Sequence, residues 1–368
     1  MRFLFISNSK HLLYPTRDAS TRYRCLHPIE ALSELGYHAD LCTQREFGWN
    51  LTDLYDAYIF HRPRYSRYFA FLINRLNRLG KVVIADYDDL LFSPEHAGDA
   101  PIYRNGQASL RITRKLHQNY LAALQLFDNF TTSTSPLAEQ IRLKKPSATI
   151  EVIHNGYSAN WVTQARINPP KDDRIVAGYF PGTRSHDRDF NHIAGAVTSW
   201  LEKSRHMLTI VGPLEISAPG FPVHTIQHRD HVPYRLLPQL ISTCHLTLAP
   251  LEKTLFNHCK SGIKFFESAL FGVPIITSPI PDMVRFKESG LILADSPEDF
   301  YDGLHYLSED SNNHSERCAD AHRYALRNCS ALTQTERMLR YVHSLIPCTI
   351  SSNSPPKKPT SATGYLSH

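Results

Sequence analysis

Short apolar runs alternate with helix-length amphipathic patterns along most of this chain, and the alternation restricts its fold. The first run, residues 3–6, ends in polar residues and is followed by a helical pattern at 20–35. Further apolar runs of the first half lie at 38–42, 56–61, 81–85, 129–132 and 150–153. Strands that alternate with helices predict an α/β fold, in which a parallel sheet carries helices on both faces.

Polar side chains stand where the predicted strands end, and ligands of open parallel sheets bind at those ends. The candidate site residues found in this way are Asn8, His61, Asp86, Asp88, Asp89 and Asn155. Arg22, at the start of the first predicted helix, is a further candidate for binding an acceptor or a phosphate. A lone histidine at a strand end also has a plain explanation as a structural hydrogen-bonding group.

The sequence Asp86-Tyr87-Asp88-Asp89 places three carboxylates within four residues of a strand end. Crowded carboxylates repel one another, so one of them can have a raised pKa and serve as an acid or base. A divalent metal would also hold them together, and capping of the next segment toward water is a third explanation. We expect Asp86 and Asp88, together with His61, to be catalytic groups.

Residues 257–278 combine a basic turn, a short helical pattern and a buried strand. The turn contains Lys260, Ser261, Gly262 and Lys264, and the helical pattern that begins at Ile263 carries Glu267. Free N–H groups and the dipole at a helix start attract an anion, and a carboxylate one turn later can accept hydrogen bonds from a ribose diol. The stretch therefore indicates a nucleotide site. The same residues also fit a solvated helix face with a Lys–Glu pair.

The run from Lys264 to Ser278, KFFESALFGVPIITS, resembles the nucleotide-binding helix and strand of retaining GT-B glycosyltransferases, the glycogen-synthase-like group. The resemblance implies two facing Rossmann-like domains and an E-x7-E pair, whose second glutamate binds the ribose and whose first contacts the donor sugar. Glu267 falls on the second position, and Cys259 stands at the first. The Lys-Ser-x-x-Lys form is similar to a variant in polysaccharide-assembly enzymes, which the tract from Val82 to Phe92 also resembles.

A second strand-to-helix loop, at residues 181–190, follows the restart of the sheet pattern at Arg174. The glycine turn Gly182-Thr183-Arg184 before a helix start can hold phosphate oxygens. The family resemblance implies that a basic residue here contacts the donor diphosphate, with Arg184 the nearest match and Arg188 the second. His186 and Asp187 are weaker candidates for the donor sugar, because helix capping also explains Asp187.

Length and pattern together predict two domains and a tail. We expect an N-terminal domain at 1–156, a linker at 157–173, a second domain at 174–315, a helix at 316–346 and a disordered tail at 347–368. The family resemblance implies that the second domain binds the nucleotide sugar and that the helix crosses back to the first domain. Ser, Pro and Thr dominate the tail.

Composition limits the classes of partner and the compartment. The net charge of +5 is too weak to indicate nucleic acid. Seven cysteines without a CxxC pair favour a reducing, cytoplasmic setting over disulfides or a zinc site. The apolar start is too short for a secretory signal, and no apolar stretch of about 18 residues predicts a membrane helix.

The segment from Arg62 to Lys81 carries six basic residues and no acidic one, interleaved with aromatic side chains. Such a helix can rest on an anionic membrane, such as the inner face of a cell membrane. The pattern fits a surface helix whose apolar face is buried in the core somewhat better.

We therefore expect a glycosyltransferase that transfers a sugar from a nucleotide-sugar donor to a glycan or lipid-linked acceptor. Fixed cations would stabilise the leaving diphosphate, so neither a cofactor nor a divalent metal is required. Two rivals stay open at this point: a sugar-nucleotide epimerase of the same fold, and a non-catalytic subunit that binds a glycan or a partner. The departure at Cys259 is the feature that favours the second rival.

Overall fold

The computed structural model describes residues 1–9, 14–164, 174–182, 184–203, 205–230, 232–309 and 311–346. Twelve strands lie in these ranges: β1 (Arg2–Ser7), β2 (His38–Thr43), β3 (Ala57–His61), β4 (Val82–Tyr87), β5 (Asn129–Thr132), β6 (Thr149–Val152), β7 (Val176–Tyr179), β8 (Met207–Val211), β9 (Ile226–Arg229), β10 (Leu246–Ala249), β11 (Ile275–Thr277) and β12 (Ile292–Leu293). They form two six-stranded sheets, in the orders β2-β1-β3-β4-β5-β6 and β12-β11-β10-β7-β8-β9.

Every strand pairing in both sheets is parallel. The strand order reverses direction next to β1 in the first sheet and next to β7 in the second, as it does in doubly wound folds. The predicted α/β architecture of two Rossmann-like units is confirmed.

Helices cover both faces of the first sheet. They are α1 (Ala19–Thr21), a π-helical turn (Arg22–Leu26), α2 (His27–Glu34), α3 (Arg67–Arg78), α4 (Pro101–Arg104), α5 (Leu110–Leu124) and α6 (Ser135–Lys144). Hydroxyl side chains cap three of them: Ser66 accepts from the Phe69 N–H, and Ser109 and Thr134 act in the same way on α5 and α6. The first predicted helix is a continuous helical segment, in which the π-turn Arg22–Leu26 joins α1 to α2.

The second unit contains α7 (Ala159–Gln164), α8 (Asp187–Glu202), α9 (Leu237–Ile241), α10 (Leu255–His258), α11 (Ile263–Ala269), α12 (Pro281–Val284) and α13 (Pro297–Glu309). Val223–Thr225 is a 3-10 turn, and β9 begins only at Ile226. The short helix α10 is not evident from the sequence pattern.

The chain ends in two helices, α14 (Ser311–Asn328) and α15 (Ala331–Ser344). The continuous helical pattern at 316–345 divides because Ser330 caps a new helix by accepting from the Thr333 N–H. Helix α14 packs in a cluster of the second unit through Ala321 and Ala325. Helix α15 packs instead against β1 of the first unit, where Val342 lies in the same cluster as Phe3.

The chain crosses between the two units twice at one place. The Tyr157 N–H donates to the Cys329 carbonyl at 2.9 Å, and the Ala331 N–H donates to the Tyr157 carbonyl at 2.9 Å. Gly156 is required beside this pairing, because a Cβ there would lie 2.6 Å from the Ala331 nitrogen. Of the predicted linker, residues 157–164 belong to this crossing and to α7, and the remainder lies outside the described residues, as does the tail at 347–368.

None of the helices in the described ranges combines the length and the apolar character that crossing a membrane requires.

Candidate active site

Loops at the carboxyl ends of the two sheets meet across a cleft. Glu252, which follows β10, binds Arg104 of the first unit, with Nη2–Oε1 and Nη2–Oε2 distances of 2.9 and 3.0 Å. The same carboxylate accepts from Arg188 of its own unit at 3.2 Å. A second contact joins the Thr134 hydroxyl to the Cys259 carbonyl at 2.8 Å. The predicted site residues lie between and beneath these contacts.

Asp86, at the end of β4, is the centre of a buried network. Arg24 from the π-turn contacts both carboxylate oxygens, with Nε–Oδ2 and Nη2–Oδ1 distances of 3.0 and 2.5 Å. His61 Nδ1 lies 2.8 Å from Oδ2, and the Thr131 hydroxyl donates to Oδ1 at 2.7 Å. Burial by itself raises the pKa of Asp86, but the Arg24 charge and the His61 hydrogen bond hold this pKa well below its ordinary value.

This geometry corrects the expected role of Asp86. The residue is 2% exposed and its oxygens are occupied by protein groups, so it does not face an acceptor. It instead orients the His61 ring through Nδ1, as a carboxylate behind a histidine commonly does.

Asp88 is linked to His61 through Ser20. The Ser20 hydroxyl donates to Asp88 Oδ2 at 2.5 Å, and its oxygen lies 2.6 Å from His61 Nε2. Asp88 Oδ1 accepts from Arg62 Nε at 2.5 Å. Both His61 and Asp88 are buried in this conformation, at 2% and 8% exposure.

Asp89 is the one carboxylate of the cluster that reaches the cleft, with a quarter of its side chain exposed. Its Oδ2 accepts from Arg62 Nη2 at 2.5 Å. Burial raises the pKa of Asp89 above its ordinary value, although the charges of Arg62 and Lys260 oppose the change. Lys260 belongs to the second unit, so Asp89 faces the basic turn across the cleft.

Arg62 binds both Asp88 and Asp89, and its backbone conformation is unusual. Its φ of 51° lies in the left-handed region that side chains rarely adopt. The Asn8 side chain donates to the Arg62 carbonyl at 3.1 Å, and the Arg62 N–H donates to the Asp86 carbonyl at 2.9 Å. Strained residues of this kind cluster at functional sites.

Glu267 on α11 is 3% exposed and contacts both units. Lys264 Nζ lies 2.6 Å from Oε2, which is the Lys–Glu pair of the alternative interpretation. The Tyr23 hydroxyl from the first unit donates to Oε1 at 2.5 Å. The Tyr234 hydroxyl in turn donates to the Tyr23 oxygen at 3.2 Å.

One N–H group of the basic turn before α11 is already bound within the protein. The Gly262 N–H donates to Asp282 Oδ2 at 2.6 Å, and the Ser261 hydroxyl lies 3.3 Å from the same oxygen. Asp282 also contacts Arg285 at 2.6 Å and is 4% exposed. A protein carboxylate thus occupies the Gly262 N–H at this helix start, and Lys260 and Lys264 are the basic side chains of the turn.

Cys259, at the position of the family's first glutamate, is fully buried. It packs with Phe256 in the core cluster of the first unit, and its carbonyl accepts from Thr134. Burial raises the pKa of the Cys259 thiol to about 12. Residue 259 thus lies in a contact between the units and does not line the cleft.

Comparisons with known proteins identify the architecture. Residues 193–339 match the family model described as glycosyl transferase-like. No curated protein matches the chain. Among solved structures, HepE from Anabaena is similar over 94% of this chain and 100% of its own, at 13% identity and a TM-score of 0.60.

Two other structures are similar to the same extent. The sucrose-phosphate synthase from Thermosynechococcus elongatus matches at 11% identity and a TM-score of 0.62, over 94% of this chain and 99% of its own. A glycosyltransferase from Rickettsia africae matches at 11% identity and a TM-score of 0.64, over 95% and 99%. This chain has the GT-B fold of glycosyltransferases.

The glycosyl transferase-like segment of this GT-B protein contains the basic turn and Glu267 but not the loop at 181–190. In that loop Arg184 is half-exposed and pairs with Glu215, and its Nε lies 3.3 Å from Asp187 Oδ2. Gly182 is exposed, and Thr183 lies outside the described residues. The structure places Arg184 beside carboxylates of its own unit, and its phosphate role stays a prediction.

His186 belongs to a small network that the sequence did not indicate. Its Nδ1 lies 2.9 Å from Asp189 Oδ2, while Asp189 Oδ1 accepts from the Glu252 N–H at 2.9 Å and from Asn257 at 3.1 Å. Burial and the charge of Lys260 lower the pKa of His186. Asp189 thus fixes the loop after β10 to the start of α8.

Arg22 and Asn155 differ in what they face. The Arg22 guanidinium stacks over the Tyr234 ring at 3.8 Å. Asn155 is 6% exposed and its Oδ1 accepts from Arg24 Nη1 at 3.1 Å, so it supports the buried ion pair and does not face an acceptor. Tyr23 and Arg24 belong to the same run at the start of the first helix, but sequence reasoning did not indicate that they bind Glu267 and Asp86.

The buried ion pair yields a stability prediction. Arg24→Gln leaves the Asp86 carboxylate buried without its counter-charge, which costs about 3–5 kcal/mol at pH 7. The folded-state pKa of Asp86 then rises above its unfolded value of about 3.9, so the variant binds more protons when folded and regains stability as the pH falls toward about 5. Urea unfolding at several pH values measures this.

The double variant Arg24→Gln/Asp86→Asn is the control. It removes both charges, and we expect it to be more stable than Arg24→Gln alone. A double variant that is less stable than the single one would contradict the ion-pair explanation.

Proposed function

We propose that this protein transfers a hexosyl or deoxyhexosyl group from a nucleotide-sugar donor to a glycan or lipid-linked acceptor, with retention of configuration, in bacterial surface polysaccharide synthesis. One observation carries the proposal: the glycosyl transferase-like segment carries Lys260, Lys264 and Glu267, and its Lys260 lies close enough to Asp89 of the first unit for their charges to interact. The lysines of the second unit suit a leaving diphosphate, and the Asp89 carboxylate of the first unit suits an acceptor hydroxyl.

The donor is assigned to the second unit. Lys260 and Lys264 would contact the diphosphate and stabilise the negative charge that develops as the bond to the sugar breaks. Because these cations are fixed, the reaction needs no divalent metal. Glu267 would accept hydrogen bonds from the ribose. HepE, which shares the fold, has structures in complex with UDP and with UDP-glucose, so UDP is the first nucleotide to test.

The acceptor is assigned to the first unit. Asp89 is partly exposed, faces Lys260 and has a raised pKa, so it would take the proton of the acceptor hydroxyl while the new bond to the sugar carbon forms. His61 and Asp88 lie directly behind it and would hold Arg62 and Ser20 in place. Asp86 would act through His61 as a positioning residue.

The non-catalytic rival rests on Cys259. A glutamate that contacts the sugar in related enzymes is absent, and the residue in its place is buried. A protein of this kind would bind a glycan or a partner but release no nucleotide from any nucleotide sugar, which separates it from the enzyme.

An exposed aromatic surface on the first unit supports contact with an anionic membrane. Trp49 and Phe71 stack with their ring centroids 5.5 Å apart, and Tyr68 lies 6.4 Å from Phe71. All three are about half-exposed, and the Arg75 guanidinium lies 3.7 Å from the Trp49 centroid. Aromatic and basic side chains on one helix face suit an anionic lipid interface. A lipid-linked acceptor would then meet the cleft from this side.

Nucleotide binding is the first prediction of the proposal. A thermal-shift panel of UDP, GDP, TDP, ADP and CMP should find one stabilising nucleotide, worth about 2.7 kcal/mol at 100 times its Kd. Glu267→Ala and Lys264→Ala should abolish the shift. Lys253→Ala is the matched control, because Lys253 is exposed and pairs with Asp295. No shift with any nucleotide in a folded protein would contradict the donor site.

The acceptor carboxylate gives the second prediction. Asp89→Asn should lower the rate of nucleotide release from the sugar donor by about 10²- to 10⁴-fold, because the base is lost. In the wild type the rate should rise with pH through the raised pKa of Asp89, and this rise should vanish in the variant. Asp53→Asn, at an exposed carboxylate of the same unit, is the control. An unchanged rate in Asp89→Asn would exclude Asp89 as the base.

Membrane contact gives the third prediction. The protein should sediment with vesicles of phosphatidylcholine and phosphatidylglycerol, less so at high salt, and not with phosphatidylcholine alone. The double variant Trp49→Ser/Phe71→Ser should lose this binding. Val223→Ser, at an exposed apolar residue of the second unit, should keep it. Equal sedimentation of wild type and double variant would contradict the assigned surface.

A further inference from the structure

The carboxylate assigned to the ribose is already occupied within the protein. Glu267 is 3% exposed, and each of its oxygens has a short contact, Oε2 with Lys264 at 2.6 Å and Oε1 with Tyr23 at 2.5 Å. A buried carboxylate without partners is costly, so these contacts are needed while no nucleotide is present. A ribose cannot reach Glu267 in this conformation unless a contact yields.

Tyr23 is the partner that belongs to the other unit. It is 4% exposed, yet it packs in the core cluster of the second unit, with its ring edge-on to Tyr234 and Phe266 at centroid distances of 6.1 Å each. Its backbone belongs to the π-turn of the first unit, three residues from Ser20. Withdrawal of the Tyr23 hydroxyl from Glu267 therefore requires a shift of one unit against the other.

The Tyr23 hydroxyl is chemically similar to the ligand that the carboxylate is proposed to take. A phenol and a ribose hydroxyl both donate one O–H to the oxygen. Burial and the Glu267 charge raise the pKa of Tyr23 well above its ordinary value, so the phenol stays a donor at neutral pH. Lys264, by contrast, lies on the same helix as Glu267 and can stay bound to Oε2 when a nucleotide enters.

We propose that Tyr23 competes with the nucleotide ribose for Glu267, and that this contact lowers the affinity for the donor until the two units separate. The inference rests on the proposed nucleotide site. It adds that the affinity for the donor depends on Tyr23 of the first unit, whose hydroxyl the ribose replaces at Glu267. If only a small fraction of the protein is in the binding-competent state, the apparent affinity is lower than the intrinsic affinity by that fraction.

Separation of the two units would also affect two other contacts across the cleft. The Arg104–Glu252 ion pair and the Thr134–Cys259 hydrogen bond join the same two units. Because they hold the closed arrangement together with Tyr23, donor entry loosens all three contacts at once. The nucleotide thus acts on the relative position of the units through a single carboxylate.

The test compares Tyr23→Phe with the wild type by calorimetric titration. The probes are the nucleoside diphosphate that the thermal-shift panel selects and its 2′,3′-dideoxy counterpart. Loss of the competing hydroxyl should tighten binding of the ribonucleotide by about tenfold, the usual worth of one hydrogen bond to a charged group. The dideoxy compound should gain clearly less, because it has no hydroxyl to offer Glu267.

Two further variants support the comparison. Tyr157→Phe is the matched control, since Tyr157 is buried in the same cluster but its hydroxyl donates to the Leu326 carbonyl at 3.2 Å. It should leave the affinity unchanged. Tyr234→Phe removes the donor to the Tyr23 oxygen and should tighten ribonucleotide binding relative to the wild type, by less than tenfold, which tests the inference should Tyr23→Phe not fold.

Several results would overturn the inference. Equal or weaker ribonucleotide binding in Tyr23→Phe would show that the hydroxyl does not compete, and an equal gain for both probes would show that Tyr23 only blocks entry. Either result leaves the nucleotide site itself intact. If neither wild type nor Tyr23→Phe binds any nucleotide of the panel, the proposed function fails, and this inference with it.

Discussion

The ion pair between Arg24 and Asp86 ties together the carboxyl ends of the first sheet. Asp86 ends β4, and it binds His61 from β3 and Thr131 from β5. Arg24 adds the end of β6, because its Nη1 donates to the Ile153 carbonyl at 2.6 Å. One buried pair thus positions four neighbouring strand ends, those of β3, β4, β5 and β6, and the helical segment that carries Tyr23. Asp89 lies nearer the surface and is held by Arg62, whose backbone N–H donates to the Asp86 carbonyl.

The fold could be predicted because its signals are local. Apolar runs, cap residues and glycines lie within a few residues of the elements that they define, so the two parallel sheets were correct. The strand-end rule also brought His61, Asp86 and Asp88 together correctly as neighbours. It could not tell which of the carboxylates is exposed, because exposure depends on Arg24 and Arg62, whose distances along the chain to their partners are 62 and 26 residues.

The basic turn shows the same limit more clearly. A lysine-rich helix start indicates an anion, and an anion is present, but it is the side chain of Asp282, 20 residues further along the chain. Likewise, nothing near Cys259 in the sequence shows that this residue packs against the first unit. Local patterns predict the type of group that a position attracts, whereas tertiary packing decides whether the protein or a ligand supplies it.

The paired crossing of the chain has a mechanical consequence. Tyr157 lies on the outgoing strand of the crossing, and Cys329 and Ala331 lie on the returning one, joined by two backbone hydrogen bonds. Two adjacent connections resist twisting of one unit against the other more strongly than a single connection would. We therefore expect the two units to bend about this point more readily than they twist against each other, and such bending would widen or narrow the cleft.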